Sequence, residues 1–252
     1  MKAVWKGYVG FGLVNIPISL YSAVDQDRIS FRLLHDEDKA PITYKRFCTE
    51  CGKEVDWGDI VKGLEVGKNE YYVFTKKEIE ELKPEAGDMI EIKEFVNKEE
   101  LEWIYLNKHY FLGSQKGAER SFNLLKRVMG DTNKIAIAKF VMREKEYVCA
   151  IYNYKKGFLL SILNYENEIR DIENVPNIGK ETELKDREIE LAEELIDKLT
   201  NKHLSMDKYE DTFTEKLKEV VKEGVVEHIE KGKKVQKTEN LIESLEASIG
   251  SK

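Results

Sequence analysis

Three apolar runs in the second half of the chain, Ile135–Met142, Tyr147–Tyr154 and Phe158–Tyr165, restrict the fold more than any other feature. They are joined only by Arg143-Glu144-Lys145-Glu146 and by Lys155-Lys156-Gly157. Links this short leave no room for a crossover helix, so the runs must pair as neighbours in an antiparallel β-meander. Upstream, Val9, Phe11 and Leu13 alternate, as do Ile16, Ile18 and Leu20, and then Ile29, Phe31 and Leu33, which predicts further short strands over residues 4–34. Gly7, Gly10 and Gly12 have the spacing G-x-x-G-x-G with no helix after them, so they read as bends or bulges in barrel strands and not as a phosphate loop. Pro17 has no N–H to give a ladder and needs an edge or a bulge. Glu70–Thr75 and Met89–Val96 read as strands, and Lys76–Lys83 as a short acidic helix stopped before Pro84.

Beyond the loop at Val175-Pro176-Asn177 the periodicity changes. Leu184, Leu191, Leu195 and Leu199, with Ala192 and Ile196, form the narrow apolar stripe of a helix. A second helical stretch runs from about Tyr209 through Phe213, Leu217 and Val220 and past Gly224, and a last short one holds Leu241, Leu245 and Ile249. With no strands between them, these helices are expected to form an arm on the β body or on a second subunit.

The chain carries a formal charge of −7, which disfavours indiscriminate attraction to phosphate. The charge is unevenly spread: between Trp103 and Arg170 there are twelve Lys and Arg against six Asp and Glu, while residues 61–102 and 171–252 are acidic. Within that cationic block Lys116, Arg120, Asn123 and Arg127 are spaced to share one helix face, with Ala118, Phe122, Leu125 and Met129 on the other and Gly130 closing the helix. A helix packed by one side and cationic on the other is suited to a nucleic-acid backbone, although a solvated lysine face is an equal reading.

Cys48-Thr49-Glu50-Cys51-Gly52 after the strand-like Ile42–Phe47 has the form of a zinc knuckle, in which the glycine lets backbone amides approach both thiolates. Cys48 and Cys51 supply two ligands, and His35 is the candidate third, with Asp36, Asp38 or a partner chain completing the set; a metal-free knuckle is the alternative. Cys149, in a strand pattern, reads as core. Three cysteines and no apolar leader point to a reducing interior, and no run of about 18 apolar residues is available to span a membrane, so a cytoplasmic protein is expected. No nucleophile, base and oxyanion stabiliser come together in any motif, so no enzyme activity is expected.

Trp5-Lys6-Gly7, Phe11-Gly12-Leu13-Val14-Asn15-Ile16-Pro17 and Leu20-Tyr21-Ser22 resemble the opening strands of the prokaryotic Ku family. Asp59-Ile60-Val61-Lys62-Gly63, Lys116-Gly117-Ala118-Glu119, Lys134-Ile135-Ala136-Ile137-Ala138 and the segment Lys208–Leu217 extend the resemblance to nearly the whole chain. The resemblance implies a mixed α/β, β-dominated fold with a central β-barrel, an extended bridge and a C-terminal helical arm. On this sequence the barrel core with its bridge (about 35–66) would span 1–175 and the arm and short tail 176–252. It further implies a nucleoid-associated homodimer that threads double-stranded DNA ends through a ring, with ATP-dependent DNA ligase D as a partner and no required cofactor beyond a possible structural zinc. Candidate DNA contacts are Lys45 and Arg46 on the bridge, Lys116, Arg120 and Arg127 on the helix, and Arg143 and Lys145 at the meander turn. Two other readings compete: a monomeric zinc-knuckle barrel that stacks single-stranded bases on Tyr44, Phe47, Tyr152 and Tyr154, and a carboxylate-based metal-dependent nuclease.

Overall fold

The computed structural model describes residues 1–25, 29–180, 183–224, 226–228 and 236–238. The chain divides into two compact units, Met1–Gln26 with Ile60–Lys180, and Asp27–Asp59 with Glu181–Lys252.

The first unit is built on a closed barrel. In chain order its strands are β1 (Trp5–Phe11), β2 (Val14–Ser22), β5 (Met89–Asn97), β6 (Leu106–Ser114), β7 (Lys134–Met142), β8 (Lys145–Tyr154) and β9 (Gly157–Leu163), with β3 (Lys62–Gly67) and β4 (Glu70–Phe74) forming a separate hairpin. Around the barrel the order is β1-β2-β6-β9-β8-β7-β5, so the meander expected from the three apolar runs is present as β7-β8-β9. All neighbours are antiparallel except β1 and β5, whose parallel pairing closes the cylinder. That seam requires Gly7: a Cβ there would lie 2.0 Å from the Asp88 carbonyl oxygen, and the adjacent Tyr8 N–H donates to that oxygen at 2.7 Å. Gly12, at φ +58, serves the β1–β2 turn instead. Pro17 fits because its carbonyl accepts from Gln115 N–H just before the β2–β6 ladder starts at Ile18 and Ser114; its missing donor therefore faces the end of β6, where no ladder bond is lost.

The barrel interior holds Val9, Ile16, Ile18, Leu20, Ile90, Ala138, Phe140, Ile151, Phe158 and Leu160, all buried. The helix α2 (Glu119–Asp131) stoppers one end with Phe122, Leu125 and Met129, and Phe122 meets Phe158 edge-on at 5.0 Å. The apolar runs of β7 to β9 are continuous because their outer face is covered too: Ile135, Ala150 and Leu163 pack with Leu101, Tyr105 and Tyr152. Ser161, buried on that outer face, is satisfied by His109 Nδ1 at 2.7 Å and Tyr152 Oη at 2.8 Å. Gly130 does not end α2, which continues to Asp131. A Cβ at Gly130 would come within 2.8 Å of Asn153 Nδ2, so the glycine permits close packing on β8. The short helix α1 (Lys76–Leu82) starts at a reciprocal cap between Thr75 and Glu78 and stops before Pro84, as expected.

The second unit contains the inserted segment and the arm. The alternation of Ile29, Phe31 and Leu33 does not produce a strand, and Ile42–Phe47 does not either; pairing there is limited to isolated bridges, Leu34 with Pro41 and Phe47 with Glu54. No residue of 29–59 is buried, so the alternation has no second layer to face and the period of two has nothing to enforce it. In the arm, α3 (Asp186–Leu199) and α4 (Thr212–Glu223) form as the periodicity predicts. α4 stops at Gly224, whose N–H returns to the Val220 carbonyl, and a strand Val226–His228 (β10) paired with Gln236–Thr238 (β11) follows; the helix does not run past the glycine. The expected helix at Leu241, Leu245 and Ile249 lies outside the described residues.

Candidate nucleic-acid interface

Strand register sorts the cationic side chains of the barrel into two groups at opposite rims. β8 runs from Lys145, beside Met142 at one rim, to Tyr154, beside Gly157 at the other. Its ten residues span roughly 30 Å at the usual strand rise. Lys116, Arg120 and Arg127 accompany α2 at the stoppered rim, and Arg143 and Lys145 belong to the other.

At the stoppered rim, Lys116 lies in the turn before α2, followed by Gly117 at φ +89, so it is not part of the helix. Arg120 and Arg127 project from the exposed face, and Arg127 is partly neutralised by Asp131 at 3.5 Å. The burial of Ala118, Phe122, Leu125 and Met129 matches the pattern read from the sequence. The same rim also holds Lys126 of α2 itself, together with Lys155 and Lys156, which linear spacing did not join to the helix. Asn153 Nδ2 donates to the Lys126 carbonyl at 2.8 Å and so ties the helix to the β8–β9 turn. The ladder register alone brings them together.

At the opposite rim the β7–β8 turn is formed by Arg143 (φ 53) and Glu144 (φ 64), two successive left-handed residues that are neither glycine nor asparagine. The shape suits the twist of a hairpin, but each such residue costs about 1–2 kcal/mol. Glu144 accepts Lys83 Nζ at 2.9 Å, and Lys83 also reaches Glu80, so both carboxylates hold the Lys83 pKa above its ordinary value, Glu80 first. This link fastens the end of α1 to the turn. Arg143 and Lys145 make no ion pair among the described residues; Lys145 lies over the Tyr147 ring at 5.4 Å. β2 ends at this same rim, so the inserted segment departs from here, and α1 brings the chain back here to β5.

Within the insertion, Lys45 Nζ pairs with Glu54 at 2.8 Å, while Arg46 donates to the Val55 carbonyl at 3.2 Å and lies 4.4 Å above the Trp57 ring. Both cations are thus held on a narrow ribbon, Lys45 paired with a carboxylate and Arg46 without an ion pair among the described residues. Cys48 N–H donates to the Lys53 carbonyl and Gly52 N–H to the Cys48 carbonyl, both at 2.9 Å, which closes the knuckle turn. The backbone N–H of Cys51, then that of Glu50, then the Cys51 side chain hold the Cys48 thiol below the ordinary thiol range. His35 Nδ1 is bound instead to Asp38 at 2.9 Å, and among the described residues no three His, Cys, Asp or Glu side chains converge. The residues in place supply two thiolates of the four donors that structural zinc takes, so they do not fit a complete site within one chain.

Of the aromatic residues considered for base stacking, Tyr152 is tied to Ser161, and Tyr154 stacks on Phe111 at 5.9 Å with Lys155 Nζ 5.4 Å from its ring. Tyr44 and Phe47 stay exposed on the insertion.

A family model described as the Ku70/Ku80 beta-barrel domain matches residues 10–191. The chain is 38% identical over 250 residues to a protein named non-homologous end joining protein Ku from Archaeoglobus fulgidus, covering 99% of this chain and 98% of that one. A protein of the same name from Bacillus subtilis is 38% identical over 218 residues, 86% of this chain and 70% of the other. Another, from Coxiella burnetii, is 32% identical over 252 residues, 97% and 92%.

Proposed function

The chain belongs to the Ku family, and from that premise we propose that it is a DNA-end-binding scaffold of double-strand break repair by non-homologous end joining. Two copies close a ring, a duplex end threads through it, and the bound dimer recruits an ATP-dependent DNA ligase of the ligase D type. The protein performs no chemistry on the DNA itself. It acts on DNA in the cell interior and beside the nucleoid; among the described residues no helix is long and apolar enough to cross a membrane.

The observation that favours this reading is the cationic barrel rim at the β7–β8 turn, where Arg143 and Lys145 make no ion pair among the described residues. Taken by itself, the insertion presents Lys45 and Arg46 at its surface. Exposed cations of this kind suit contact with phosphate, which reads charge and not base sequence. Lys116, Arg120 and Arg127 at the far rim are secondary candidates. With six to ten phosphates neutralised by a dimer, affinity should fall about 10³–10⁵-fold between 50 and 200 mM salt. Zinc, if bound, would need thiolates or other donors from beyond the pair Cys48 and Cys51.

Threading is tested by comparing binding to a linear duplex with binding to the same sequence as a covalently closed circle at matched salt. The expected result is retention on the linear form and little on the circle; equal affinity overturns the ring.

A further inference from the structure

The β7–β8 turn, Arg143-Glu144-Lys145-Glu146, carries two cations and two carboxylates and is neutral as a stretch of sequence. Adjacent residues stand about 3.8 Å apart along the backbone, inside the Debye length of about 8 Å at physiological salt. Free carboxylates in such a turn would act on both cations and leave little charge for a phosphate. The structure pairs the carboxylates elsewhere. Glu144 accepts Lys83 Nζ at 2.9 Å, from the end of α1, and Glu146 accepts Lys139 Nζ at 3.2 Å, from β7. Arg143 and Lys145 make no ion pair among the described residues.

Each donor is held by its own element. Lys83 follows α1 and precedes Pro84; its backbone is extended at ψ 139, the conformation favoured before proline, and its N–H returns to the Glu80 carbonyl at 3.3 Å. Its side chain is only 27% exposed and bridges Glu80, at 2.6 Å, and Glu144. Lys139 stands opposite Val148 and Glu146 opposite Val141, so Lys139 and Glu146 are diagonal neighbours on one face of the ladder.

We propose that Lys83 and Lys139 are positioning residues for DNA binding. Neither touches the duplex; each withdraws a carboxylate from the turn, so that a stretch neutral in sequence presents the charges of Arg143 and Lys145 to phosphate. The proposal deepens the DNA-end reading above and rests on it. It also separates two kinds of lysine at this rim, those that meet phosphate and those that occupy carboxylates.

The test measures binding of the full-length chain to a linear duplex across a salt series. Lys83→Met should weaken binding by about fivefold and lower the slope of log affinity against log salt by about one unit, because the released Glu144 offsets one cation. Lys83→Met with Glu144→Gln should restore both. Lys83→Met with Glu100→Gln has the same net charge as that pair, but Glu100 lies on a different segment and makes no ion pair among the described residues, so it should restore neither. Lys139→Met, alone and with Glu146→Gln, repeats the comparison at the second carboxylate should loss of Lys83 disturb folding, which urea titration reads. Unchanged binding by Lys83→Met overturns the proposal. So does a loss that Glu144→Gln fails to restore, which would make Lys83 itself a phosphate contact or a purely structural tie. Equal rescue by Glu100→Gln overturns it in favour of the general field of the protein. An unsubstituted chain that does not bind the duplex overturns the DNA-end reading and this proposal together.

Discussion

Phe158 inside the barrel is closed off from water against Phe122, whereas Phe31 in the insertion is 71% exposed and no residue from 29 to 59 is buried. The two regions share one chain, but the barrel is stabilised by what it encloses, whereas the contacts described within the insertion are local. Its ribbon is held by single bridges, the pair of Lys45 with Glu54 and the stack of Arg46 on Trp57. Such contacts are worth little in water. The lesson is a division of labour. The barrel encloses a core of its own, whereas the insertion keeps its charges and most of its rings at the surface.

The largest consequence concerns the cysteines. Burial alone pushes the Cys149 thiol up, while amide N–H groups hold the Cys48 thiol down at the surface of the insertion. Cys149 should react with a thiol reagent only through global unfolding, at a rate about 10³-fold or more below that of Cys48. Peptide mapping after timed alkylation reads the ratio; comparable rates would mean that the barrel is not sealed. A smaller effect separates the phenylalanines. Phe158→Ala should cost about 3–5 kcal/mol of unfolding free energy in urea titration, as a cavity in a closed core does. Phe31→Ala should stay within about 0.5 kcal/mol. A large loss at Phe31 would show that the insertion has a core of its own.

The smallest effect sharpens the comparison within the barrel, between its rims. Replacing both Arg143 and Lys145 by alanine should weaken binding to a linear duplex by roughly tenfold and lower the slope of log affinity against log salt by about one unit per lost phosphate contact. Arg127→Ala should change the slope little, because that charge is already offset by Asp131 and sits at the far rim. The reverse ranking would move the DNA to the α2 rim.

Much of the barrel was legible because its rules are local. The apolar runs at 135–165 with short turns permit only a meander, and the spacing of Phe122, Leu125 and Met129 gives the buried face of α2 directly. The failures fall where local pattern met no second layer. Ile29, Phe31 and Leu33 alternate like a strand and stay in solvent, and Gly130 looked like a helix stop but serves a close approach to Asn153. The pairing of β1 with β5 across some eighty intervening residues, which makes Gly7 indispensable, leaves no mark at either end that spacing could reveal.

The sequence by itself determined the composition of the cationic block, the amphipathic faces and the family. Only the tertiary structure decided which cations stand together. It moved Arg143 and Lys145 to the opposite rim from Lys116 and Arg120, and brought Lys155 and Lys156 to α2. The reason is geometric: a strand carries its two ends roughly 30 Å apart while a two-residue turn returns the chain at once, so distance along the sequence and distance in space part company at every hairpin.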